Sequence, residues 1–297
     1  MPSFISTILR AQIKLLSPLV ANATLEQTRA AQDALSKLSQ PAVRDSVVFK
    51  DLRFPLFDAA WAIPLKGHVR QAIVYLHGGS YSAGSVEYAT VFGGLLAQMT
   101  GRAVICVGYR LAPEDPFPAA LEDALTSYQT ALKRFAPEDI AFVGESAGGG
   151  LVYCLALKAK EMGLPQPERI VAISPWTDVV MQRDVSDQQK LDILIHKDSV
   201  KESARMYLGS EDPHNPLISP LYGDVTGLPP SLIFVGSHEI LLDDSVLMHD
   251  KLEQAGCTSE LHIAEGMWHV YVLYGVPEAR EALKRIALYL TGEKHRG

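Results

Sequence analysis

Residues 143–149 read Val-Gly-Glu-Ser-Ala-Gly-Gly, and the spacing Gly144, Ser146, Gly148 is that of a serine at the apex of a tight turn. A serine hydroxyl is a weak nucleophile until a neighbouring base takes its proton. With a histidine and a carboxylate in line it can attack a carbonyl carbon and carry the acyl group as a covalent intermediate. The apolar run "IAFV" precedes the motif and a helix-length stretch follows it. Ser146 therefore belongs at a strand-to-helix junction whose flanking residues must be nearly without side chains. There the helix amino end favours developing negative charge. A plain glycine-rich helix start would give the same spacing, so the serine needs partners elsewhere in the chain.

A second stretch, "YLHGGSY" at residues 75–81, ends an apolar run in the consecutive glycines Gly78 and Gly79. Attack on a carbonyl makes an oxyanion that needs two or three backbone N–H groups aimed at one point. Glycines let the main chain come that close. A third stretch, "GSHEILLDDS" at residues 236–245, gathers His238, Glu239, Asp243 and Asp244 just after an apolar run. Either chemistry or the start of a helix would explain it. Nine histidines are available, but His68, His196, His214, His249 and His295 show no metal-ligand spacing, and no metal is expected.

The chain that must position these groups has 297 residues, 47% hydrophobic and 21% charged, which allows one large core or two smaller ones. A formal charge of −7 supplies no basic field for a polyanion, so nucleic acid is not an expected partner. Cys106, Cys154 and Cys257 are odd in number and far apart, which fits free buried thiols in a reducing compartment. The first residues place Arg10 and Lys14 inside their apolar run, unlike a secretory signal. No stretch has the length of a bilayer span, and a cytoplasmic protein is expected, with no stable membrane insertion.

Phe4, Ile5, Ile8, Leu9, Ile13 and Leu16 recur at helical steps until Pro18, which predicts an amphipathic helix ending there. A second helix is expected from Thr24, where "TLEQ" offers a capping box. From Val47 two runs look like a hairpin. After it, apolar strands ("QAIVYL", "AVICVGY", "IAFVG", "RIVAIS", "SLIFVGS", "TSELHIA") alternate with helix-length segments, over Ala89 to Met99, through about Arg134, after Ser146 and from about Glu278. That alternation predicts a single α/β domain over residues 1–297, a mostly parallel sheet covered by helices on both faces. The polar run 177–215 breaks the rhythm and reads as an insertion on top of the sheet. His269, in "EGMWHVY", lies after the last of these strands and before the final helix. His262 falls inside the strand pattern and is read as structural.

"HGGSY", "YRLAPEDPFPAALEDA" (109–124), "GESAGG", "SPWTD" (174–178), "ISPL" (218–221) and "GMWH" (266–269) stand in an order and spacing that resembles the hormone-sensitive-lipase-like family of α/β-hydrolases, which includes many small bacterial carboxylesterases. The resemblance runs from about Pro41 onward. It implies the α/β-hydrolase fold with a helical cap, expected from about 1–42 and about 178–216, and no cofactor. It implies oxyanion donors at Gly79, Ser80 and Ala147 within a loop that includes Gly78, with His77 as a support. Two departures stand out: Ser80 occupies the family's third glycine, and Glu145 its usual aspartate. A main-chain N–H is indifferent to its side chain, so Ser80 can still donate. The loop "YRLAPEDPFPAA" is read as scaffold, with Arg110, Glu114 and Asp123 in ion pairs.

The family's acid lies in a pattern like D-P-L-x-D after the strand before the last, and anchored on Leu241 its first acid falls on Glu239. Asp243 is the rival. Asp243 and Asp244 are otherwise expected as the cap and first turn of a helix, and His238 as a loop residue. The resemblance thus implies a serine esterase with catalytic Ser146, Glu239 and His269. Tyr81 and Trp268, beside the oxyanion loop and the base, are expected to confine the substrate pocket to short acyl chains. An amidase, lactonase or acyltransferase could use the same residues. A non-catalytic receptor on this fold is disfavoured, since such relatives have lost the histidine. The expected partner is a small-molecule ester, and the family's pairing through the sheet edge makes a homodimer a candidate state.

Overall fold

The computed structural model describes residues 2–21, 23–39, 45–66, 68–181 and 183–292. His295 and residues 40–42 of the expected first cap segment lie outside them. Helices α1 (Phe4–Ala21) and α2 (Leu25–Ser39) come first. The first runs on through Pro18, where the sequence predicted its end. Proline removes one backbone donor near the end of a helix without forbidding a last turn. The capping box forms at the start of α2: Thr24 N–H donates to Gln27 Oε1 at 2.9 Å, and Gln27 N–H to Thr24 Oγ1 at 3.2 Å.

Among the described residues, eight strands then build one sheet in the order β1-β2-β4-β3-β5-β6-β7-β8. The hairpin β1 (Val47–Arg53) and β2 (Asp58–Pro64) is antiparallel, and β2 joins β4 (Ala103–Gly108) in the same sense. From β3 (Ala72–Leu76) outward every pairing is parallel: β3 with β4 and β5 (Ile140–Glu145), then β6 (Arg169–Ile173), β7 (Ser231–Gly236) and β8 (Ser259–Ala264).

The inner strands are apolar throughout because both faces are covered. On β3, Val74 and Leu76 join one core while Ile73 and Tyr75 join the other; on β5, Ile140 and Phe142 oppose Ala141 and Val143 in the same way. This is the period-two alternation of a strand, and each of the Val, Leu, Ile and Phe side chains among them stabilises the fold by roughly 1.5–3 kcal/mol relative to exposure. Helices α4 (Ala119–Leu132), α5 (Ala147–Glu161) and α8 (Leu242–Gln254) contribute to the first core, α3 (Val86–Thr100) and α9 (Pro277–Thr291) to the second. Ser85 caps α3 through its hydroxyl, which starts the helix three residues before the apolar signal at Ala89. The long polar segment carries α6 (Ser186–Leu191) and α7 (Lys197–Leu208), and no strand among the described residues of 178–216.

The ion pairs expected of Arg110, Glu114 and Asp123 form, and one expectation, the start of α8, shifts in detail. Arg110 pairs with Asp123 at 2.8 Å and with Glu122 at 3.1 Å, whereas Glu114 is taken by Arg29 of α2. Leu241, not Asp243, is the N-cap of α8; Asp243 and Asp244 sit in its first turn. Asp244 turns away from its own helix, accepting from the N–H groups of Thr177 and Asp178 and pairing with Arg183.

Candidate active site

Strands β3, β5, β6, β7 and β8 are neighbours running the same way, so the loops after their carboxyl ends meet along one rim. That rim is where open parallel sheets bind ligands. Ser146 follows β5 directly and holds φ 55°, ψ −121° before α5 begins at Ala147. A left-handed φ is unfavourable for serine, and neighbouring main chain over-determines it. Ser146 N–H donates to the Ile173 carbonyl at 2.9 Å, and the Ser146 carbonyl accepts from Gly150 at 3.1 Å and Trp176 at 2.9 Å. The flanking glycines are sterically required: a Cβ on Gly144 would lie 2.2 Å from the Gly148 carbonyl oxygen, and one on Gly148 2.1 Å from that of Leu76.

The loop after β7 supplies Glu239 and the loop after β8 supplies His269. Ser146 Oγ is 2.9 Å from His269 Nε2, and His269 Nδ1 is 2.7 Å from Glu239 Oε2. The other oxygen, Glu239 Oε1, accepts from the Ser174 hydroxyl at 2.8 Å and from Gly236 N–H at 2.7 Å. All three members of the chain are buried. A hydrogen bond donated from His269 Nδ1–H to Glu239 leaves Nε2 as the acceptor for Ser146. A serine so placed can attack a carbonyl carbon while its proton passes to His269. Asp243, the rival acid, is half-buried on the first turn of α8 and has no hydrogen bond to His269. His238 stays on the loop, with its N–H on the Met267 carbonyl. His262 stacks on Phe234 from β8.

The loop after β3 bends sharply. Gly79, Ser80 and Tyr81 have φ 120°, 54° and 59° in succession. Gly79 admits no side chain, because its Cβ would meet the Ala83 carbonyl oxygen at 2.1 Å. Among the described residues no acceptor takes the N–H of Gly79, Ser80 or Ala147. Gly78, expected within the donor loop, has a different part: its N–H is bound at 2.6 Å by Glu145 Oε1, so it is not free for an oxyanion. His77 is a support, donating from Nδ1 to the Gly78 carbonyl at 2.7 Å and stacking on Tyr109. Burial pulls its imidazole down to about 4, so it stays neutral.

Glu145 is thus the side chain that fastens the nucleophile turn to the loop after β3. Its burial pushes the carboxyl from the ordinary 4.5 up to about 8, against the opposing effect of the Gly78 N–H. A raised carboxyl means the folded chain keeps a proton the unfolded chain releases. Stability from this group is full below about 4.5 and is lost as pH rises through about 8. Asp244, which burial holds at about 7, acts in the same direction. Gln mimics the protonated form, so Glu145→Gln is expected to fold and to flatten the fall in urea midpoint across that window. An unchanged slope would contradict this account of Glu145.

Residues 73–273 match the α/β hydrolase fold family. Among curated proteins, an acetyl-hydrolase of Streptomyces hygroscopicus is 37% identical over 79% of this chain and 81% of its own. An esterase of Acinetobacter venetianus is 35% identical over 77% of each. Among solved structures, an esterase from the bacterial hormone-sensitive lipase family superposes with TM-score 0.90 at 31% identity, over 98% of this chain and 99% of its own. The homologue EstE7, from a metagenome library, gives 0.86 at 36% identity, over 95% and 97%. The chain belongs to the hormone-sensitive-lipase-like family of α/β-hydrolases. It is a carboxylic ester hydrolase.

Two residues expected to line the pocket of this hydrolase do not. Tyr81 and Trp268 are both 0% exposed. With its positive φ, Tyr81 turns into the core and stacks on Tyr207 of α7 at 3.7 Å, while Trp268 packs edge-on against Tyr274 at 5.6 Å. Adjacency in sequence to a reacting group does not set side-chain direction. These rings back the loops from behind. A groove of about 1440 Å³ between β8 and α9, lined by Phe234, His262 and Arg285 among others, contains none of Ser146, Glu239 and His269.

Three supporting residues carried no signal of their own in the sequence. Ser174 lies in the quoted "SPWTD", but its use of one hydroxyl to donate to Glu239 and accept from Val270 N–H is visible only in the fold. Arg29 reaches from α2 to the Ser82 and Ala112 carbonyls at 2.8 and 3.0 Å, pinning the loop after β3 from outside. Asp192, in the polar insertion, accepts at 3.0 Å from the N–H of Ile240, next to Glu239.

Proposed function

We propose that this hydrolase cleaves esters of short carboxylic acids through an acyl-enzyme, with Ser146 as nucleophile, His269 as base and Glu239 as acid. The observation that carries the reading is the unbroken hydrogen-bond chain from Ser146 Oγ to Glu239. As Ser146 attacks the ester carbonyl carbon, its proton moves to His269 Nε2. The negative charge on the former carbonyl oxygen falls to the N–H groups of Gly79, Ser80 and Ala147, each of such donors contributing on the order of 100- to 1000-fold in rate. Collapse expels the alcohol with the proton from His269. Water, deprotonated by His269, then releases the acid. Glu239 keeps Nδ1 protonated and stabilises the imidazolium without taking the proton.

The cap of this reading is α1 and α2 with the segment 178–216. Support comes from contacts between the two parts, Arg10 with the Leu191 carbonyl and Ser17 with His196. Preference for short acyl chains draws on the tight burial of Ser146 and His269, 8% and 6% exposed, and on relatives called acetyl-hydrolase and, in Pseudomonas putida, ethyl acetate hydrolase. No helix among the described residues is long and apolar enough to cross a membrane, and the three free, buried cysteines support a reducing, cytoplasmic setting. A p-nitrophenyl ester series from two to eighteen acyl carbons tests the reading. The value of kcat/KM should peak at about two to four carbons and fall by more than tenfold by about twelve, since a closed site gains nothing from added methylenes. Faster turnover of long chains would overturn it.

A further inference from the structure

Asp192 is the C-cap that follows α6, a buried residue, 6% exposed, in the inserted segment. One oxygen, Oδ1, accepts from Leu194 and Ile195 N–H at 2.8 and 2.9 Å. That is the local loop an aspartate makes for itself after a helix. The second oxygen does something the loop does not require. Asp192 Oδ2 accepts at 3.0 Å from Ile240 N–H, 48 residues away and next to Glu239. We infer that Asp192 is a positioning residue for the Glu239–His269 pair, tying the inserted segment to the turn that carries the acid.

The turn needs such a tie. Glu239 is held on its carboxylate by Ser174 and Gly236, but its backbone leads straight into α8, whose N-cap Leu241 offers no side-chain cap. Asp192 binds the main chain between those points. Ile193 on the same loop is buried in one cluster with Trp268 and Phe234, so the tie is backed by apolar packing at the base of the His269 loop. Arg10 of α1 donates to the carbonyl of Leu191, one residue before Asp192, so the first helix is fastened to the same point. The anchor binds backbone and touches neither substrate nor reacting atoms. Burial raises the Asp192 carboxyl, and the nearby His269 opposes that rise.

This inference rests on the triad proposed above, and the test keeps the two apart. Steady-state kinetics on p-nitrophenyl acetate would be run with full-length wild type, Asp192→Ala, Glu239→Gln and the double variant, each checked for cooperative thermal unfolding. Asp192→Ala is expected to lower kcat roughly 10- to 100-fold, the scale of a small misplacement of reacting groups, with KM within about twofold. Once Glu239 can no longer hold Nδ1–H, its placement ceases to matter. Adding Asp192→Ala to Glu239→Gln is therefore expected to change kcat by less than about twofold, a non-additivity that general loosening of the fold would not produce. If Asp192→Ala does not unfold cooperatively, Asp192→Asn carries the same comparison, because its amide keeps the size but turns a donor toward Ile240 N–H. Wild-type kcat in the Asp192 variant, or a full multiplicative loss in the double, overturns the positioning role. Wild-type activity of Glu239→Gln itself would instead overturn the triad.

Discussion

Ser146→Ala leaves a folded protein that has lost turnover: kcat on p-nitrophenyl acetate falls roughly 10⁶-fold, the size seen when the nucleophile is removed from such a unit. The fold survives because the substitution deletes one oxygen and nothing else. The backbone at Ser146 is fixed by hydrogen bonds to Ile173, Gly150 and Trp176, all through main-chain atoms, and alanine occupies φ 55° no worse than serine. Thermal unfolding should move by no more than a few degrees, on the order of a change below 1 kcal/mol. The residual rate is that of water in a site that retains the free N–H groups of Gly79, Ser80 and Ala147. Retention of activity within about 100-fold of wild type would mean that another group attacks the ester and that the acyl-enzyme reading is wrong.

Much of this site was legible because its chemistry is local. Gly144, Ser146 and Gly148 had to be close in sequence, since one tight turn brings strand, serine and helix together. The contacts a Cβ would make at both glycines are the physical content of that spacing. The strands were legible for a similar reason: full burial on both faces leaves continuous apolar runs such as Ala72–Leu76. His269 could be chosen from nine candidates by its place after the last strand, the place that the α/β-hydrolase resemblance implies for the base. What local pattern does not encode is where a side chain points once the chain has turned. Tyr81 and Trp268 flank reacting groups in sequence yet face the core. Asp192 stands in a polar insertion with nothing to distinguish it from its neighbours, because its partner at Ile240 is supplied by the fold. Gly78 matched a donor pattern, and only the position of the Glu145 carboxylate reveals that its N–H is already taken. Pro18 shows the opposite failure, a strong local breaker that the last turn of α1 absorbs.

The choice between Glu239 and Asp243 has the sharpest consequence for pairing, and Glu239→Gln is expected to lower kcat roughly 10⁴-fold, as when a triad acid becomes an amide. A carboxylate serves this site because it accepts on both oxygens: Oε1 from Ser174 and Gly236, Oε2 from His269. Glutamine has one acceptor. If its oxygen stays with Ser174 and Gly236, its NH₂ faces His269 Nδ1 and selects the tautomer protonated at Nε2, which cannot take the Ser146 proton. If the amide flips, two donors meet at Gly236. In the first orientation the base is lost; in the second Nδ1–H keeps its acceptor but the clash at Gly236 displaces the pair, and KM changes little in both because neither atom touches the substrate. Asp243→Asn removes a charge from the first turn of α8, where the helix dipole favours an anion. It should lower stability by about 0.3–1 kcal/mol and leave kcat within about twofold. Parallel kinetics and thermal unfolding of the two variants decide the matter. Loss of turnover in Asp243→Asn with retention in Glu239→Gln would transfer the role of acid to Asp243 and require the loop after β7 to rearrange on binding substrate.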